Sequence, residues 1–175
     1  MTTTNIHHND LAIVKELVYD KCGFMLTDMK LHTESMEYGA CSFKLNGQII
    51  EHRVSKTTPT KTGQFVTIWK RNEHGITIPF DVSDNIDFVV ITSKNGSSIG
   101  QFIFNKRVLA DKGIISQNRK GGKRGIRVYP TWDKTTSNQA VKTQSWQVNY
   151  FLTIEREKAT LLDFAKKLFG ITGNI

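Results

Sequence analysis

The chain has 175 residues, 38% of them apolar and 23% charged, with a formal net charge of +8. Length and composition fit a single globular α+β domain with a sizeable core and exclude a disordered chain. No uninterrupted apolar run exceeds four residues, as in Phe88–Ile91, which excludes membrane insertion through a spanning helix.

The polar start Met1-Thr-Thr-Thr-Asn-Ile-His-His-Asn-Asp10 carries no apolar signal region and points to a cytoplasmic protein. Asn9 or Asp10 caps a first helix, in which Leu11, Val14, Leu17, Val18 and Cys22 recur at helical spacing and Gly23 is the stop. Phe24 to Tyr38 fits neither period. Ala40–Leu45 and Gln48–Ser55 flank Asn46-Gly47, a strong hairpin signal because both turn residues tolerate positive φ. Gly63–Arg71 reads as one further strand, with Phe65, Thr67, Trp69 and Arg71 on one face and Gln64, Val66, Ile68 and Lys70 on the other.

Ile86–Thr92 and Ile99–Phe104 form a second hairpin, after which Asn105 caps a short helix, Lys106–Lys112, closed by Gly113. Ile126–Tyr129 is a short strand ended by Pro130. Thr136 or Ser137 caps a helix from Asn138 to about Phe151, with Val141, Val148 and Leu152 as its inward row. Thr160 with Asp163 is a capping box for a last amphipathic helix, stopped by Gly170. The expected architecture is a mostly antiparallel sheet of five or six strands with flanking helices. All of residues 1–175 form one domain, with helical matter from about 155 to 170 as an extension.

The charge is not evenly spread. Residues 1–51 hold four Lys/Arg against seven Asp/Glu, residues 52–127 hold fourteen against five, and the rest six against four. The densest part is Arg119-Lys-Gly-Gly-Lys-Arg-Gly-Ile-Arg127, where glycines let a main chain approach a phosphate backbone and the cations release counterions. Arg119, Lys120, Lys123, Arg124 and Arg127 are therefore one candidate bank for nucleic acid, and Lys56, Lys61, Lys70 and Arg71 a second. The helix from Asn138 carries amides and aromatics with little charge, so Trp146 and Tyr150 are candidates to stack on bases. If Ile126–Tyr129 pairs near Gly63–Arg71, the two banks join in one cleft walled by that helix.

The alternative is a divalent-metal nuclease with a degenerate site built from Glu51, Asp81 or Asp87, and Lys70. The usual order of such sites is not met: two residues before Lys70 stands Ile68, and two after Glu51 stands Arg53. Cys22 and Cys41 have no metal spacing and read as buried, inert thiols. His32, His52 and His74 are isolated, and no nucleotide-binding, dinucleotide or acyl-transfer motif occurs, so no metal and no cofactor is expected.

Four segments resemble the MepB family of bacterial proteins: Thr58–Arg71, Gly100–Phe104 with Lys112–Ser116, Gly122–Asp133, and Gln139–Phe151. The resemblance covers about residues 35–152. The family takes its name from a gene beside a multidrug efflux pump and its regulator, which adds a small-ligand or protein-binding accessory factor as a third reading. It implies no reaction and no catalytic residues. The expectation is a cytoplasmic, non-enzymatic nucleic-acid-binding domain, with any protein partner left open.

Overall fold

The computed structural model describes residues 4–155 and 158–170, so Met1–Thr3 of the polar start lie outside the described residues. The strands run β1 (Leu26–Leu31), β2 (Cys41–Leu45), β3 (Gln48–Val54), β4 (Lys56–Thr57), β5 (Gln64–Thr67), β6 (Lys70–Arg71), β7 (Thr77–Ile78), β8 (Phe88–Asn95), β9 (Ser98–Asn105), β10 (Gly125–Val128) and β11 (Phe151–Thr153). The α-helices are α1 (Thr4–Val14), α2 (Lys106–Asp111), α3 (Asn138–Gln147) and α4 (Ala159–Leu168). Six strands make the main sheet, in the order β1-β2-β3-β8-β9-β11, with β3 and β8 its one parallel pair. Smaller sheets, β10-β5-β4 and β6-β7, complete an α+β domain that is mostly antiparallel. No described helix is long and apolar enough to cross a membrane.

Alternation along the central strands sorts the core. Phe88 and Val90 of β8, Ile103 of β9 and Leu152 of β11 face one layer, built with α1, α4 and the turn after α1. Val89, Ile91, Phe102, Phe104 and Phe151 face the other, under β5, β10, α2 and α3. Both faces of the sheet are covered, which is why Phe88–Ile91 is apolar without interruption. A buried polar seam ties the small sheet to the large one. Ser55 Oγ donates to Gln64 Oε1 at 2.6 Å, and Gln64 Nε2 donates to the Lys94 carbonyl at 2.9 Å.

Both hairpins form where their turn residues place them, with Asn46 and Gly47 at φ 50° and 81°. Asn105 caps α2 by accepting from Val108 N at 2.9 Å, and Ser137 caps α3 by accepting from Ala140 N at 3.1 Å. Four expectations are corrected, and the stretch that fits neither period is assigned. The first helix already includes Thr4–Val14 and passes into a π-helical turn, Lys15–Tyr19; buried Asp10 pairs with Lys94 at 2.8 Å instead of capping. The ambiguous stretch after Phe24 contains edge strand β1. Gly63–Arg71 is not one strand. Its pairing with β10 ends at Thr67, with one further bond from Ile68 N to the Arg124 carbonyl at 2.8 Å, and Lys70 and Arg71 pair instead with Ile78 and Thr77. Helix α3 ends at Gln147. Its buried residues are Ala140 and Gln147 while Val141 is exposed, and Phe151–Thr153 is a strand on β9. Lys158, not Thr160, precedes α4 and gives it no side-chain cap. That helix holds by packing: Leu161, Ala165 and Phe169 are buried, and the Phe169 ring meets Tyr19 edge-on at 5.9 Å.

Candidate nucleic-acid interface

β10 lies antiparallel to β5, with Arg127 opposite Phe65 and Gly125 opposite Thr67. Ile126 and Val128 turn into the core, which leaves Gly125 and Arg127 on the outer face. A Cβ at Gly125 would stand 2.6 Å from the Phe65 ring, so only glycine lets that ring lie across β10. Arg127 Nη1 is held by Thr58 Oγ1 at 3.0 Å and the Thr62 carbonyl at 3.1 Å. α3 closes the other side. Its Gln147, 1% exposed, is bonded to the main chain of β10 and of Tyr129 just beyond it.

Between these elements runs a groove of about 530 Å³. Lys61, Lys112, Lys123 and Arg127 line it with Phe65, Tyr129 and Trp146, and the α3 side adds Gln139, Thr143 and Gln147. None of the described lining residues is acidic. Trp146 packs on Phe104 at 5.4 Å, and Lys112 Nζ stands 5.1 Å from the centre of its indole.

The basic loop that feeds β10 is tightly bound. Asn118, Arg119, Gly121 and Gly122 all have positive φ. A Cβ at Gly122 would stand 2.6 Å from Pro79 Cβ and 2.9 Å from Ser116 N. Asp81 is the anchor. Its Oδ1 accepts from Ser116 Oγ at 2.7 Å and Arg119 N at 3.1 Å, and its Oδ2 accepts from Ser83 N and Oγ. Those bonds, Ser116's first, hold its carboxyl well below the usual carboxylate range.

The structure brings Lys61 of one proposed bank to Lys123 and Arg127 of the other, and separates the rest. Lys56 stands over the Tyr38 ring at 4.6 Å. Lys70 pairs with Asp84, and Arg71 pairs with Glu34 and stacks on Trp69 at 5.3 Å. Arg119 and Lys120 are exposed in the loop but outside the groove wall, and Arg124 Nη1 reaches Thr77 Oγ1 at 3.5 Å. Tyr150 packs against Phe104 at 6.0 Å and does not line the groove. Lys112 had no signal in the sequence beyond its place at the end of a short helix.

A second cavity, also about 530 Å³, lies over β3. Glu51 and Arg53, one strand period apart, share its wall with Lys30, His32, Trp69, Lys70 and Phe80. Glu51 Oε2 accepts from Arg53 Nη1 at 3.1 Å and meets His32 Nε2 at 3.2 Å. Of the four metal-site candidates, Glu51 and Lys70 both line this cavity. Asp81 holds the basic loop, and Asp87 accepts from Ile49 N at 2.8 Å. The described residues contain no group of three or more His, Cys, Asp or Glu placed to hold a metal ion. Cys41 is buried, with its thiol pushed up to about 12 by desolvation, and Cys22 is half-buried.

A family model described as MepB-like matches residues 32–153. The chain belongs to the MepB-like family. The crystal structure of MepB is similar over 90% of this chain and all of that one, with 29% identity and a TM-score of 0.73. A bacterial homing endonuclease is similar over 85% of this chain and 93% of its own, with 13% identity and a TM-score of 0.47. No curated protein matches the chain in sequence.

Proposed function

We propose that this MepB-like chain is a cytoplasmic, non-enzymatic nucleic-acid-binding protein, and that the groove between β10 and α3 is its contact surface. The observation that carries this reading is the groove's lining: four cations, three aromatic rings and no described acid. Lys61, Lys112, Lys123 and Arg127 hold the phosphate backbone, and Phe65, Tyr129 and Trp146 offer apolar contact to sugars or bases. Arg127, tethered by Thr58 and Thr62, presents its guanidinium in a fixed place. Cations spread along a groove act mainly through counterion release, so affinity is largely independent of sequence. The non-catalytic part rests on Asp81 and Asp87, whose carboxylates are committed to main-chain N–H groups away from Glu51.

The test is binding of a labelled single strand and a duplex across a salt series. With four phosphate contacts, the slope of log K against log salt is about −3.6 for duplex and about −2.8 for single strand. No binding at low salt, or affinity that ignores salt, refutes the reading. Supercoiled plasmid incubated with Mg²⁺ or Mn²⁺ is expected to stay intact.

A further inference from the structure

Arg53 is 4% exposed and stands in the wall of the cavity over β3. Its Nη1 donates to Glu51 Oε2 at 3.1 Å and to the His52 carbonyl at 2.9 Å. Its Nε is buried without a hydrogen-bond partner, and Nη2 makes no hydrogen bond among the described residues. The Nε–Nη2 edge of a guanidinium is the fork that takes an oxyanion through two parallel N–H···O bonds. A buried cation with that edge unmatched is unfavourable, and an oxyanion matches it.

The other charges in the wall are largely committed. Lys70 is paired with Asp84, Glu34 with Arg71, and Glu51 with Arg53 and His32. Lys30 is exposed at the rim and makes no ion pair among the described residues. Trp69 and Phe80 supply an apolar side. We propose that this cavity is a binding site for a phosphate monoester carried on a planar, largely apolar group. Arg53 turns its unmatched edge, whose Nε is closed off from the cavity, onto two phosphate oxygens, Lys30 balances the second negative charge, and the planar group lies against Trp69 and Phe80. The site shares no lining residue with the basic groove, so it stands or falls apart from the groove's role.

Adenosine 5′-monophosphate, adenosine and inorganic phosphate are the probes, read by titration calorimetry or ligand-observed NMR on the full chain. The nucleotide is expected to bind at least about 10-fold more tightly than either fragment, since each supplies half of the contacts. Arg53→Lys keeps the charge and removes the fork, and is expected to weaken the nucleotide about 10-fold or more. Should that variant fail to fold, Lys30→Ala, on the surface, is expected to weaken it several-fold at an unchanged melting temperature. Lys123→Ala with Arg127→Ala leaves it unaltered. A 5′-phosphorylated oligonucleotide is compared with its 5′-hydroxyl form. An Arg53-dependent gain identifies a strand end as the source of the phosphate, and nucleotide binding without that gain identifies a free nucleotide; both uphold the site. Failure of the nucleotide to bind at millimolar concentration overturns it. So does equal binding of nucleotide and nucleoside, or binding undiminished in whichever of the two variants folds.

Discussion

Gln147 of α3 bonds the chain at Tyr129 as a neighbouring strand would, its Oε1 accepting from Tyr129 N at 2.8 Å. Its Nε2 donates to the Arg127 carbonyl at 3.1 Å. β10 is an edge strand, and the glutamine amide satisfies part of its open ladder. The same bonds set the width of the basic groove, because they fix α3 to the strand that carries Arg127. Gln147→Ala leaves two part-buried main-chain groups unmatched and is expected to cost about 1–3 kcal/mol, roughly 0.5–1.5 for each lost bond. Urea denaturation checks it. A loss under about 0.5 kcal/mol contradicts the tether.

Gly63 precedes β5 at φ 85°, and a Cβ there would stand 2.6 Å from the Tyr129 ring and 2.9 Å from the Val128 carbonyl. Gly63→Ala combines left-handed strain with a clash against main chain. It is expected to lower stability by about 2–4 kcal/mol and to displace Tyr129 from the groove wall. Thermal unfolding reads the first effect and Tyr129 ring resonances the second. Gly47→Ala, where nothing lies within 4 Å, carries only the cost of its positive φ and is the control.

Asp81 ties the pH response to the basic loop. Its folded pKa lies below its unfolded value near 3.9, so the stability it contributes is fully present above that value and is lost as pH falls below it. The gap in melting temperature between the natural chain and Asp81→Asn is therefore expected to be widest at pH 6–7 and to shrink at pH 3. A gap that is constant with pH contradicts the assignment.

Cys41 is 1% exposed, and burial raises its thiol to about 12. At neutral pH it carries almost no thiolate and is out of reach of reagents. Mass spectrometry after brief treatment with a thiol-specific reagent is expected to find Cys41 unmodified in the folded chain and modified in denaturant. Rapid labelling of folded Cys41 refutes its placement.

Much of the fold is legible in the chain because local rules decide it. Asn46-Gly47 fixes a hairpin, Asn105 and Ser137 cap helices, and Gly170 ends one at φ 64°. What is not legible is decided by partners distant in sequence. Gly63–Arg71 has one continuous β pattern, yet it divides because Lys70 and Arg71 take a different partner, Ile78 and Thr77, from the one that Gln64–Thr67 has in β10. Phe151–Thr153 continues a helical pattern, yet β9 offers an open edge that takes it as a strand. The polar face of α3 is visible as an oddity, but only the structure gives its cause. Gln144 Nε2 donates to the Pro130 and Asp133 carbonyls at 2.9 Å, and Gln147 bonds to β10, so both amides serve neighbouring backbone.

The candidate site divides in the same way. Joining Lys61 to Lys123 and Arg127 needs only that Ile126–Tyr129 lie near Gly63–Arg71, an expectation drawn from short strands and loops. The separation of Lys70, Arg71 and Arg124 from that groove is set by acceptors far along the chain, Asp84, Glu34 and Thr77. Arg53 was visible beside Glu51 at strand spacing. Its unmatched edge is a property of burial that no spacing reveals.

The slope of affinity against salt is the most direct test of whether nucleic acid lies in the groove between β10 and α3. Lys123→Ala with Arg127→Ala, two groove cations, should weaken single-strand and duplex binding regardless of sequence. On duplex the double variant should lower the salt slope by about two, close to one for each lost phosphate contact. Arg124→Ala, whose residue faces Thr77, should change neither by comparison. That pattern is expected at unchanged melting temperature. A double variant that binds with the same affinity and the same slope as the natural chain would contradict it.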